Sequence, residues 1–160
     1  MTHCFFKDAS AQVLARSFMG SNQDIVTYDL SFNDLCDSGA SIIAKALSNT
    51  RHIVSLTLNN NNIGWQGVAS LSEALCLNNS LIEFYLSSHK AGGNNRNRVM
   101  ERGCYELAKA LPVNRFLLIL DLTGNNICNE GLSYLLPAIV SGQTLQCLNI
   151  VLILGIRLGY

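Results

Sequence analysis

Residues 53–64, IVSLTLNNNNIG, set four consecutive asparagines (Asn59, Asn60, Asn61 and Asn62) between an apolar alternation and an isoleucine–glycine pair. Read alone, the run could be a polar tract or a ligand site, so its neighbours have to decide. Ile53, Leu56, Leu58, Asn61 and Ile63 are followed by Gly67, Leu71 and Leu75. Each has a counterpart 28 positions earlier, in Ile25, Tyr28, Leu30, Asn33, Leu35, Gly39, Ile43 and Leu47. The series restarts with Leu81, Phe84, Leu86, His89 and Ala91, then runs long before Gly103, Leu107 and Leu111 resume. Leu117, Leu120, Leu122, Asn125, Ile127, Gly131, Leu135 and Ile139 form a regular fourth copy. Leu145, Leu148 and Ile150 open a fifth that then fails. Self-similarity at one fixed offset marks a repeat architecture.

Each unit has two halves with different periods. The first, as in LLILDLTGNNI (117–127), alternates like a short strand. The second, as in GVASLSEALCLNNS (67–80), repeats apolar residues every three or four positions, as an amphipathic helix does. A strand followed by a helix in every unit requires parallel neighbouring strands and right-handed helical crossovers. No single unit covers its own apolar face, so stacked neighbours supply the core. The predicted fold is α/β, a right-handed solenoid or horseshoe with strands on the concave face and helices on the convex face. It forms one domain over residues 1–160. The predicted parts are an N-terminal helical cap (1–24), repeats at 25–52, 53–80, 81–116 and 117–144, and an incomplete fifth repeat with a tail (145–160).

The frame L-x-x-L-x-L-x-x-N-x-I/L resembles the leucine-rich repeat consensus. The period and the joins ALCLNNSL (74–81) and ALPVNRFL (110–117) resemble its ribonuclease-inhibitor-like subclass, which includes the repeat regions of NOD-like receptors. The resemblance implies that the asparagine closing each strand turns inward and ties adjacent turns together in a ladder. Asn33, Asn61 and Asn125 match that position, and His89 stands there in the third copy. An amide offers a donor and an acceptor on a short arm, and a buried unpaired backbone group costs about 1–3 kcal/mol. Asn59 and Asn60 are then expected to face solvent, with Asn62 in the bend. Asn61→Ala should destabilise far more than Asn60→Ala. The sequon Asn78-Asn79-Ser80 belongs to the helix-to-strand join and is expected to stay unmodified.

Composition narrows the function. Eleven basic and eleven acidic residues leave no net charge, so no global field draws the chain to nucleic acid or a membrane. The N-terminus lacks a basic segment followed by a long apolar run, and the six cysteines read as thiols of a reducing, cytoplasmic compartment, although a delivery route without a signal peptide would also fit. The tail, NIVLILGIRLGY (149–160), is too short to span a bilayer and lacks a polar capping face. Its edge is expected to self-associate weakly.

The residues flanking the inward leucines form two columns on the concave face. One reads Asp29, Thr57, Tyr85, Asp121 and Asn149; the other reads Thr27, Ser55, Glu83, Ile119 and Cys147. This face carries three acids and no lysine or arginine, and suits a basic or hydroxyl-rich patch of a protein partner anchored by Tyr85. The insertion HKAGGNNRNRVMERG (89–103) supplies Lys90, Arg96, Arg98 and Arg102 and reads as a mobile basic loop on one rim. Asp29, Ser55, Thr57, Glu83, Tyr85, Asp121, Arg96 and Arg98 are therefore the candidate partner-binding residues. No zinc spacing or phosphate loop occurs, and no cofactor is implied. Asp29 and Asp121 would lie about three strands, or roughly 14 Å, apart, too far for paired carboxylate catalysis. The reading is a non-catalytic protein-interaction module. The alternatives are a regulator of a GTPase or other enzyme, and a host-directed effector of an intracellular microbe.

Overall fold

The computed structural model describes residues 8–18, 24–89 and 96–150. Among them, helices α1 (Asp8–Phe18), α2 (Cys36–Leu47), α3 (Trp65–Leu77), α4 (Met100–Ala110) and α5 (Asn129–Gly142) alternate with short strands. These are β1 (Thr27–Asp29), β2 (Ser55–Thr57), β3 (Glu83–Tyr85), β4 (Ile119–Asp121) and β5 (Cys147–Asn149). The strands pair in chain order, all parallel, in one open sheet. Successive helices pack side by side from α1 to α5. The fold is the expected leucine-rich repeat solenoid.

The strand alternation explains the core. In each strand the central residue turns inward, and Leu56, Phe84 and Leu120 are fully buried. Their counterparts in β1 and β5, Tyr28 and Leu148, are only partly covered, since among the described residues each strand pairs on one side alone. Leucines flanking the strands (Leu58, Leu81, Leu86, Leu117, Leu122) and on the helices (Leu47, Leu71, Leu75, Leu107) complete one continuous apolar column. At the N-terminal end, α1 buries Ala11, Ala15 and Phe18, and the Phe18 ring lies 4.5 Å from that of Tyr28.

The asparagine ladder runs through this column, with one correction to the sequence reading. Asn61 Oδ1 accepts from the backbone N–H of Asn33 and Leu35, and its amide donates to the Leu30 carbonyl. Asn125 donates in the same way to the Leu86 carbonyl. Between them the ladder residue is Asn97, not His89. Asn97 Oδ1 accepts from Asn61 N (2.9 Å) and Ile63 N (3.0 Å), and its amide donates to the Leu58 carbonyl (2.9 Å). The His89 ring instead meets the Ser87 hydroxyl at 2.9 Å. The extra residues thus precede the ladder position. The Asn97 amide also reaches back to the Leu86 and Ser87 carbonyls, closing the excursion where it began.

The rest of the asparagine run is also structural. Asn60 is fully buried and does not face solvent; it exchanges two hydrogen bonds with the His89 backbone. Asn59 Oδ1 accepts from Ser87 N on the next turn. Asn60 and Asn62 both hold the left-handed backbone conformation (φ 53° and 57°), which asparagine tolerates better than most residues. A second amide device closes the helix-to-strand joins. Asn78 donates to the Leu47 and Thr50 carbonyls, and Asn114 to those of Leu75 and Asn78. Asn78 is buried, so its sequon offers no exposed amide.

Cys76, Cys104, Cys128 and Cys147 are free thiols, and burial pushes the Cys104 thiol up to about 12. Cys36 is disulfide-bonded, which corrects the reading of all six cysteines as thiols. The thiol count therefore gives no support to a reducing compartment. Among the described residues, no helix is long and apolar enough to cross a membrane. In the fifth copy the 28-residue offset from Asn125 falls on Ile153, and this position and most of the expected self-association edge lie outside the described residues.

Candidate functional site

The pleat sends the two residues flanking each inward side chain to the opposite face of the sheet. Strand register places Thr27, Ser55, Glu83, Ile119 and Cys147 in one row, and Asp29, Thr57, Tyr85, Asp121 and Asn149 in the other. Glu83 and Tyr85 share the middle strand, with Ser55 and Thr57 on one side and Asp121 on the other. Asp29 stands apart, beyond Thr57.

The polar groups of this face are only partly committed. Asp29 Oδ1 accepts from Ser31 N (2.9 Å) and Ser31 Oγ (2.6 Å), and Asp121 Oδ1 accepts from Thr123 N (2.8 Å). Both aspartates thereby brace the chain as it leaves its strand, which is their local structural use. The Tyr85 hydroxyl donates to Glu83 Oε2 at 3.4 Å. Partial desolvation first, then the charge and hydrogen bond of Glu83, then Asp121 and Cys147, raise the Tyr85 phenol above its ordinary value. The centre of the strand face is therefore a neutral tyrosine set among carboxylates, a field that favours a cation.

Arg96 and Arg98 flank the ladder residue Asn97, and both side chains are exposed. The Arg98 N–H donates to the Ile63 carbonyl, fixing its backbone on the rim of the second turn. Lys90, Gly92 and Gly93 lie outside the described residues. Among the described residues, no group of His, Cys, Asp and Glu could hold a metal ion. The residue missed from sequence, Asn97, was signalled by its spacing from Gly103. Six positions separate each ladder asparagine from its helical glycine: Asn33 and Gly39, Asn61 and Gly67, Asn97 and Gly103, Asn125 and Gly131.

The Leucine Rich repeat family profile matches residues 113–136. No curated protein matches the chain in sequence. Among solved structures, leiomodin-1 actin-binding site 2 superposes with a TM-score of 0.75 at 14% identity, covering 94% of this chain and 81% of that one. The tropomodulin C-terminal domain of Caenorhabditis elegans superposes with a TM-score of 0.70 at 15% identity, covering 91% and 83%. At these identities the likeness is one of fold. The repeat frame, the stacked parallel strands and these similarities together make the chain a leucine-rich repeat solenoid.

Proposed function

We propose that this chain is a non-catalytic protein-interaction module whose partner presents a basic or hydroxyl-rich patch to Ser55, Thr57, Glu83, Tyr85 and Asp121, with Asp29 at the edge. The observation that carries the reading is the pairing of Tyr85 with Glu83 at the centre of a face with acids and no basic side chain. Tyrosine is among the residues enriched at interface hot spots. Size limits what this face does alone. Five strands at about 4.8 Å spacing span roughly 24 Å and offer on the order of 500 Å², short of the roughly 800 Å² each partner contributes to a standard interface. The partner therefore also engages the rim bearing Arg96 and Arg98.

Actin is the first candidate, because one solved structure of this fold is an actin-binding site, that of leiomodin-1. Cosedimentation with filamentous actin tests it directly, and the absence of pelleting removes actin from consideration. The broader reading is tested by affinity capture. Tyr85→Ala combined with Glu83→Lys should reduce the captured partner at least tenfold, whereas an unchanged partner would reject the strand face.

A further inference from the structure

The convex side carries a feature that the repeat does not require. Trp65 at the start of α3, Tyr105 on α4 and Tyr134 on α5 line an open groove of about 420 Å³ together with Glu101, Arg102, Glu106 and Glu130. Tyr105 is 50% exposed and Tyr134 38% exposed, so neither ring is there to fill the core. At the register of Tyr105 the other repeats place Ser41, Ala69 and Ser133. At that of Tyr134 they place Ile42, Ser70 and Glu106. Apart from Ile42, the same helical positions carry small or polar side chains in the other repeats.

The rings meet edge to face, with centroids 5.4 Å apart. Two ring faces of the groove already hold cations from the chain itself. The Arg102 guanidinium lies 4.0 Å from the Trp65 ring centroid, and Lys109 Nζ lies 5.1 Å from that of Tyr105. Lys109 also pairs with Glu106, so its charge is balanced within the groove. Among the described residues, Glu101 and Glu130 form no ion pair. With Glu106 paired to Lys109, the groove is left with two carboxylates, Glu101 and Glu130, against the one guanidinium of Arg102, with aromatic faces beside them.

We infer that this groove docks an arginine-bearing segment of a protein partner, independently of the strand face. Charge complementarity selects a cation, since among the described residues Glu101 and Glu130 form no ion pair and outnumber Arg102 in the groove. Planarity selects arginine over lysine, because a guanidinium stacks on an aromatic ring and forks onto a carboxylate at once. Arg102 on Trp65 is the chain's own example of that stacking. A second surface on the convex side also adds area that the strand face lacks.

The chain has a single tryptophan, Trp65, so its emission reports the groove without ambiguity. The probe is a blocked peptide of four Arg-Gly repeats, titrated beside the same peptide carrying neutral citrulline. A saturable change in Trp65 emission is expected with the arginine peptide, at least tenfold weaker with citrulline and weaker again at high salt. Glu101→Gln with Glu130→Gln should reduce affinity about tenfold, and Tyr105→Ser with Tyr134→Ser should abolish it, with helicity unchanged by circular dichroism. Tyr85→Ala with Glu83→Gln should leave the response intact. An equal response to citrulline, or one undiminished in the groove variants, overturns the inference. So does one lost in the strand-face variant, which would place the binding there instead.

Discussion

The second and third turns of the solenoid perform the same task with different lengths of chain. In the second, Leu58 is three residues from its ladder asparagine, Asn61; in the third, Leu86 is eleven residues from Asn97. The bonds made are equivalent nonetheless. Asn61 donates to the Leu30 carbonyl at 2.8 Å, and Asn97 donates to the Leu58 carbonyl at 2.9 Å. The ladder residue is therefore located by the helix that follows it and not by the strand that precedes it. A fixed unit runs from the asparagine through an apolar residue to the helical glycine. The gap before that unit can lengthen without loss.

The largest effect expected from this comparison is at Asn97. Asn97→Ala leaves the buried N–H groups of Asn61 and Ile63 without acceptors and should cost about 3 kcal/mol or more, as should Asn61→Ala. His89→Ala removes one contact with Ser87 and should cost less than about 1 kcal/mol. Urea midpoints at constant slope measure both changes. Equal losses at 89 and 97 would mean that the strand sets the ladder after all.

The fixed unit makes a second prediction at its glycines. A Cβ on Gly103 would lie 2.6 Å from Val99 Cγ1, and one on Gly67 would lie 2.7 Å from Ile63 Cγ2. In both turns the residue four positions back presses on the first helical turn, so alanine at either glycine should cost about 1–3 kcal/mol. Gly67 should be the more sensitive. Its Cβ would also lie 2.7 Å from Asp37 Oδ1, the carboxylate oxygen that accepts from the N–H groups of Gly64 and Gly67. If Gly103→Ala is silent in the same melts, the apolar residue and the glycine are not one packed unit.

These contacts explain which parts of the molecule can be read from sequence. All five strands and their register follow from the offsets, because side-chain alternation leaves no other way to bury Leu56, Phe84 and Leu120 together. Asn97 was also readable, by counting back from Gly103; counting forward from Leu86 reaches His89 instead. The burial of Asn60 was not readable. Its partners are backbone groups of His89, the first of the extra residues, which has no counterpart in a regular repeat. The convex aromatics escaped for another reason. A helical periodicity search rewards inward residues, whereas Tyr105 and Tyr134 stand out only when each helical position is compared across repeats.

Asn60 itself should show an intermediate effect. Asn60→Ala loses both bonds to His89 and places alanine at φ 53°, which together should cost about 1–2 kcal/mol. That narrows the gap to Asn61 expected when Asn60 is taken as solvent-facing. Asn60→Gly relieves the backbone strain but not the lost bonds, so comparing the two variants in the same denaturation series separates the contributions. If glycine restores full stability, the exchange with His89 contributes nothing.

The smallest change in stability should come from the largest change in sequence. Deleting residues 89–96 joins Ser88 to Asn97 and leaves LIEFYLSSNRV, which fits the leucine-rich repeat frame with the ladder asparagine back at its regular spacing. The deletion loses the two bonds between Asn60 and His89 and the contact between the Ser87 hydroxyl and the His89 ring, but also removes the entropy cost of closing a longer loop. Each doubling of loop length costs only about 0.6 kcal/mol. The two effects oppose one another, so the net shift should stay within about 1 kcal/mol, well below that of Asn97→Ala. A cooperative urea transition with an unchanged slope is the expected result, and loss of that transition would show that the extra residues are needed for the fold. The same variant lacks Lys90 and Arg96 but keeps Arg98 and the whole strand face. Partner capture by this stable chain therefore measures what the basic rim adds, free of any change in the ladder.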